Sequence, residues 1–291
     1  MVVLKVEHLH KNYGKKQVLN DCSFEIHEGD LIGLVGPNGI GKSTLMRSIL
    51  NLEDVESGTV TLLGISNKEP DFYKQVTFMP SDNYLYTGLS GYDHLAFVAN
   101  IYGLEKSKID EVVEKIGIGS YVHHTVKTYS YGMRQHLLIA LAVLTDPKLI
   151  LMDEPFNGLD PTSVIELKRL IHQLHELNIS IVVSTHSLGI LEDLTSTVWF
   201  LKDGQLTQTI GEVHLSASFE IEVGGISEDA LDELMSTSGL AYSLTQLKIQ
   251  TEVDRELSDY LSYLMAQNVE IIAVNRRKEN LEELYQSFYG V

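Results

Sequence analysis

The sequence has one cysteine in 291 residues, Cys22, which excludes an internal disulfide and points to a reducing compartment, with the thiol itself expected as a small core group on a strand. It has no long apolar run. The most apolar window, residues 136–144, is bounded by Gln135 and Asp146 and falls far short of the roughly 20 residues a membrane span needs. The opening Met1-Val2-Val3-Leu4-Lys5-Val6-Glu7 alternates like a strand and lacks the apolar core of a signal peptide. Positive charge is scarce: 22 Lys+Arg stand against 40 Asp+Glu, a net charge of −18, which argues against a general nucleic-acid or anionic-membrane surface. The deficit is uneven, because residues 212–291 hold 15 acidic and 5 basic side chains. Internal repeats, low-complexity segments and heptad runs are absent too. What remains is the composition of a globular protein, 44% apolar and 21% charged, in a chain long enough for one large domain and a smaller one.

The chain is organised around Gly36-Pro37-Asn38-Gly39-Ile40-Gly41-Lys42-Ser43-Thr44, which has the spacing GxxxxGK[ST]. The apolar run Leu31-Ile32-Gly33-Leu34-Val35 before it reads as a strand, and Leu45-Met46-Arg47-Ser48-Ile49-Leu50 after it reads as a helix. Glycines let the backbone coil until successive N–H groups converge on phosphate oxygens, and the helix adds its positive end to the same point. Lys42 supplies a point charge for the β- and γ-phosphates, and the Ser43 hydroxyl is placed to ligate Mg²⁺.

Residues 2–9 and 18–26 read as a hairpin turning at Tyr13-Gly14, with Tyr13 alternatively a purine-stacking platform. Strands are expected at 57–64 and 74–80, and helices from about 90 to 143. Ser130 and Gly132 stand at the mouth of a strongly apolar helix, a cap or an anion site. Lys148-Leu149-Ile150-Leu151-Met152-Asp153-Glu154 is a buried strand delivering two carboxylates at its C-terminal end. These are costly there unless something neutralises them, as a metal-bound phosphate at the crevice outside a parallel sheet would. Asn157-Gly158-Leu159-Asp160-Pro161 turns into a helix over 162–177 whose His172 and His175 read as a solvated face, no third metal ligand being in view. A further buried strand ends at His186, and a hairpin over 197–206 closes the first domain near residue 211. From residue 218 the order strand, helix, paired strands, helix, strand, helix suggests a small α+β unit with its helices on one face of an antiparallel sheet. A GTPase would need an Asn-Lys-x-Asp guanine reader, and the nearest approach, Asn67-Lys68-Glu69-Pro70, has proline in place of the aspartate.

Together these residues resemble the ATP-binding subunit of ABC transporters over residues 2 to about 211. Gly36 to Ser43 is similar to the Walker A loop, Ser130-Tyr131-Gly132-Met133-Arg134-Gln135 to a variant signature motif, and Leu149 to Asp153 with Glu154 to the Walker B strand and its glutamate. Asn157-Gly158-Leu159-Asp160 resembles the D-loop, and His186 the switch histidine. The resemblance implies an α/β P-loop NTPase core with an antiparallel β subdomain and a helical subdomain (about 83–145), forming a domain over 1–211, with the α+β accessory domain over 216–291. It implies ATP and Mg²⁺ as cofactors, the nucleotide held by Tyr13, Gly36, Asn38, Gly39, Gly41, Lys42, Ser43 and Thr44. Ser130 and Gly132 would close on the ATP held by a second ATPase subunit, and Asp160 of the D-loop would be a further nucleotide-binding residue. Ser43 and Asp153 would hold the metal, Glu154 would polarise the attacking water, and His186 would contact the γ-phosphate.

Two departures stand out. Where the family commonly has glutamine the chain has Ser81, too short to reach metal and water, so that Asp82 is a candidate metal ligand, or hydrolysis is slow, or coupling is altered. Tyr131 replaces a frequent glycine. The implied partners are integral membrane subunits docking near residues 82–86, with the chain peripheral on the cytoplasmic face. The variant signature and acidic extension resemble an export-type branch. The alternatives are a non-transport ABC-type ATPase acting on ribosomes or DNA, disfavoured by the acidic charge and single motif set, and a nucleotide-sensing subunit of low turnover.

Overall fold

The structure, a computed structural model, describes residues 1–80, 84–209, 218–251, 257–277 and 281–290. β1 (Val2–Tyr13) and β2 (Lys16–His27) form an antiparallel hairpin closed by Tyr13 pairing with Lys16 around a left-handed Gly14. Both strands run longer than their apolar alternation suggests, because bulges on either side of Leu9 absorb the loss of period without ending the ladder. β3 (Leu31–Val35) enters the phosphate loop and α1 (Lys42–Ile49) leaves it. β4 (Ser57–Leu62) and β5 (Ile65–Ser66) complete a first sheet of order β2-β1-β4-β5.

After β6 (Val76–Met79) the chain turns helical, with α2 (Gly91–Tyr102), α3 (Lys106–Ile116) and α4 (Tyr131–Val143). Ser90 caps α2 by accepting from the Asp93 N–H at 3.0 Å, and left-handed Gly103 and Gly117 stop α2 and α3. β7 (Leu149–Asp153), α5 (Pro161–Glu176), β8 (Ser180–Ser184), α6 (Leu188–Leu194), β9 (Thr197–Lys202) and β10 (Gln205–Thr209) follow. The second sheet has order β10-β9-β3-β8-β7-β6, parallel except for the β9–β10 hairpin. Every residue of β3, β7 and β8 is buried, as expected of strands covered on both faces. Gly33 allows α6 to sit directly on β3, since a Cβ there would lie 2.9 Å from Leu191 Cδ2.

One core joins the two sheets: Leu4, Phe24 and Ile26 from the first and Leu34, Leu151, Val182 and Trp199 from the second, with Leu45 and Met46 of α1. Phe24 meets Trp199 edge-to-face at 5.0 Å. Cys22 is buried in this core, and burial pushes its thiol up to about 12, leaving it unreactive. His175 does not lie on a solvated face as its spacing suggested. Its Nε2 stands 2.7 Å from the Gly29 carbonyl oxygen and ties α5 to the turn before β3.

The chain divides into two compact units, Met1–Ile210 and Gly211–Val291. Taken alone, the second contains β11 (Ser218–Gly224), α7 (Glu228–Ser236), β12 (Tyr242–Thr245), β13 (Lys248–Thr251), α8 (Leu257–Ala266), β14 (Glu270–Arg277) and α9 (Leu281–Tyr289). Its antiparallel sheet has order β12-β13-β11-β14. Ile221 and Val223 of β11 and Ile249 of β13 share a buried cluster with Leu231 and Met235 of α7 and Tyr260 and Leu264 of α8. Those two helices therefore cover one face of the sheet.

Candidate functional site

The loop between β3 and α1 is shaped by close approach as well as by charge. Gly39 (φ 75°) and Gly41 (φ 123°) are left-handed, and a Cβ on Gly41 would lie 2.7 Å from Val18 Cγ1 of β2. Lys42 is 6% exposed, and its Nζ donates to the Gly36 carbonyl at 2.7 Å and lies 3.5 Å from Glu154 Oε1. Tyr13, Asn38, Gly39, Gly41, Lys42, Ser43, Thr44 and Glu154 line one cavity of about 240 Å³, joined by Lys16 and Val18. Gly36 contributes its carbonyl to the Lys42 ammonium. Tyr13 stands 49% exposed at the rim, with Lys11 Nζ 4.9 Å over its ring. Its hydroxyl donates to Glu53, a bond that raises the phenol above its ordinary range.

Asp153 and Glu154 are 3% and 9% exposed, and each is held by Ser184 of the neighbouring strand. Ser184 Oγ donates to Asp153 Oδ1 at 2.7 Å and accepts from the Glu154 N–H at 2.9 Å, while the Ser184 carbonyl accepts from the same N–H at 3.1 Å. Glu154 takes a left-handed backbone (φ 50°), uncommon for a residue with a long side chain. The turn brings its carboxylate between two bases, with Oε2 3.0 Å from His186 Nδ1 and Oε1 beside Lys42. Asp153 and Ser43 line a second cavity of about 390 Å³ with Arg47, Leu52, Phe78, Pro80 and Tyr84. A carboxylate and a hydroxyl are hard oxygen donors of the kind Mg²⁺ selects, so the set fits that ion. Asp82, the remaining candidate ligand, lies outside the described residues, as does Ser81.

Ser130, Gly132 and Asp160 lie away from both cavities. Ser130 Oγ caps α4, accepting from the Met133 N–H at 3.2 Å. Asp160 caps α5, accepting from the Thr162 and Ser163 N–H groups at 3.0 and 3.1 Å. The Ser163 N–H, ahead of the Ser163 hydroxyl, holds the Asp160 carboxyl below its usual range. The two caps are neighbours, since a Cβ on Gly132 would lie 2.7 Å from Ser163 Oγ.

The sequence reading overlooked Ser184, Ser163, Lys16 and Glu53. A serine ending the apolar run Ile181-Val182-Val183 was the available signal for the first. A groove of about 700 Å³ opens between β6, residues 84–89, α2 and α4, lined by Leu52, Tyr84, Tyr86, Phe97, Tyr102 and Leu138 among others. Its described lining contains no Asp, Glu, Lys or Arg. No helix among the described residues is long and apolar enough to cross a membrane.

With this geometry in place, comparison with known proteins gives consistent results. The family model described as ABC transporter matches residues 19–157. An uncharacterized ABC transporter ATP-binding protein, YdbJ of Bacillus subtilis (strain 168), is 35% identical over 99% of this chain and 88% of its own. The bacitracin transport ATP-binding protein BcrA of Enterococcus faecalis is 30% identical over 99% of this chain and 96% of its own. A solved ATP-binding subunit of an ABC transporter superposes with a TM-score of 0.66 at 27% identity, over 74% of this chain and 91% of that one.

Proposed function

The chain belongs to the ABC transporter family of ATP-binding proteins, and from that premise we propose that it binds and hydrolyses ATP to drive transport through separate membrane subunits. The observation that supports this reading is the run of contacts from Lys42 through Glu154 to His186, beside an Asp153 held by Ser184. The loop amides and Lys42 grip the β- and γ-phosphates, and Tyr13 gives the purine a flat face. Ser43 and Asp153 would hold Mg²⁺, which when bound would neutralise charge on the phosphates. Glu154 orients and polarises the attacking water, with its carboxylate steered by His186, whose other ring nitrogen is left for the γ-phosphate. Lys42 leaves its Gly36 and Glu154 partners as the triphosphate arrives, which frees Glu154 for that role. Catalysis is then positioning and charge stabilisation, as phosphoryl transfer generally is.

The second half of each site is the Ser130–Gly132 helix mouth of another ATPase subunit. The membrane partner inserts a short segment into the largely apolar groove at Tyr84 and Tyr86. Export is the direction this reading favours, in keeping with the bacitracin transport named for one relative. The test is phosphate release from Mg-ATP by the purified chain and by Glu154→Gln. Turnover should fall by about 10²- to 10⁴-fold, the range typical of a general base, with ATP affinity unchanged. Equal turnover by the two proteins removes the hydrolytic assignment.

A further inference from the structure

The frequent glycine that Tyr131 replaces leaves a question that the phosphate chemistry does not answer: what this ring does at the helix mouth. Tyr131 is the first residue of α4 and is 36% exposed, yet its ring is not free. Its Cζ and Cε1 lie 3.7 and 3.8 Å from where a Cβ on Gly158 would stand, so the ring lies against the turn leading to Asp160. Its hydroxyl accepts from Gln135 Nε2 at 3.2 Å, and Gln135, one helical turn on, is 5% exposed. Gly158 is left-handed (φ 76°), so the turn beneath the ring is one that glycine adopts without strain.

A second contact joins the same two segments from the other side. Ser163 Oγ donates to Asp160 Oδ2 at 2.9 Å and sits where Gly132 has no side chain. A side chain at 132 would therefore have to displace the Ser163 hydroxyl from its place beside α4. The start of α4 and the turn into α5 are held at two points, the Tyr131 ring over Gly158 and Ser163 against Gly132.

We propose that Tyr131 is a positioning residue: with Ser163 it clamps the signature helix mouth to the 157–160 turn. Ser130, Gly132 and Asp160 then face a second chain as one rigid surface rather than as two independently moving loops. This rests on the two-chain ATP site proposed above. Tyr131 lines neither cavity at the phosphate loop; its effect is on how two other segments are ordered before the second chain arrives. Ordering them in advance lowers the cost of association.

The test uses the full chain carrying Glu154→Gln, with Tyr131→Ala and Tyr131→Phe added separately. Alanine is chosen because it removes the ring without fraying α4. In the nucleotide-free protein, hydrogen exchange of residues 158–164 should quicken about tenfold in Tyr131→Ala, the scale of one lost aromatic packing contact. Tyr131→Phe keeps the ring over Gly158 and should recover most of the protection. The protein concentration giving half-dimer with ATP should rise about tenfold in Tyr131→Ala, while ATP affinity below the dimerising concentration stays unchanged. Unaltered exchange over 158–164 in Tyr131→Ala overturns the clamp, as does an unaltered dimerisation midpoint. If Glu154→Gln itself stays monomeric with ATP, the two-chain reading fails, and the exchange measurement still decides whether the ring holds the turn.

Discussion

The phosphate-loop mouth and the α4 mouth are both helix N-termini suited to anions, yet they are built oppositely. At the first, Lys42, Asp153 and Glu154 are buried, and each charge is answered within the chain by Gly36, Ser184 or His186. At the second, Ser130 and Asp160 are exposed, and their oxygens serve as caps for their own helices. The difference follows from the cost of burial. A charge removed from water needs a partner at once, so the first mouth must be complete in the monomer. Exposed groups carry no such demand, so the second mouth can wait for a partner from elsewhere. On the proposed reading, a nucleotide would be gripped by one chain and enclosed by two.

Breaking the first mouth alone should give the largest effect. Lys42→Ala removes the point charge on the β- and γ-phosphates and should weaken ATP binding by about 100-fold or more, read by calorimetry. Near-wild-type affinity would dissolve the contrast between the mouths. Breaking the second alone should leave that affinity untouched. Ser130→Arg, added to Glu154→Gln, should abolish ATP-induced dimers in size-exclusion chromatography, and persisting dimers would show that the α4 mouth is not at the interface.

A smaller effect is expected from shape without charge. Gly41→Ala must fit a Cβ against Val18 on a left-handed backbone and should cost about 1–3 kcal/mol of stability, seen as a lowered Tm. An unchanged Tm would mean that β2 yields freely at Val18. The smallest effect belongs to removal of residues 216–291, which contain neither mouth. ATP affinity should be unchanged, and its loss in a folded truncation would bring the C-terminal unit into the site.

The first mouth was legible in the sequence because its parts are local. Strand, glycines, lysine and helix occupy one stretch, and Asp153 and Glu154 end one apolar run. What joins those parts was not legible. Ser184 reaches Asp153 only because β7 and β8 pair in a register that sets Asp153 opposite Ser184, and no local pattern encodes a register between distant strands. Val18 closes over Gly41 for the same kind of reason. The helix α6 escaped notice because seven residues show too little period to separate from a turn. The second mouth was legible as two caps, Ser130 and Asp160, but their adjacency depends on how α5 packs beneath α4. The C-terminal unit's alternation of strand and helix was readable, since Ile221 and Val223 repeat with period two and Leu231 and Met235 with period four.

The left-handed backbone at Glu154 has a consequence for how this sequence can drift. Asparagine or glycine would sit in that turn more comfortably than glutamate, by roughly 1 kcal/mol. Directed evolution for heat resistance alone should therefore enrich Glu154→Gly or Glu154→Asn, and the survivors should be sturdier proteins that no longer turn over ATP. Retention of glutamate there under such selection would mean that its contacts with Lys42 and His186 outweigh the misfit of its backbone.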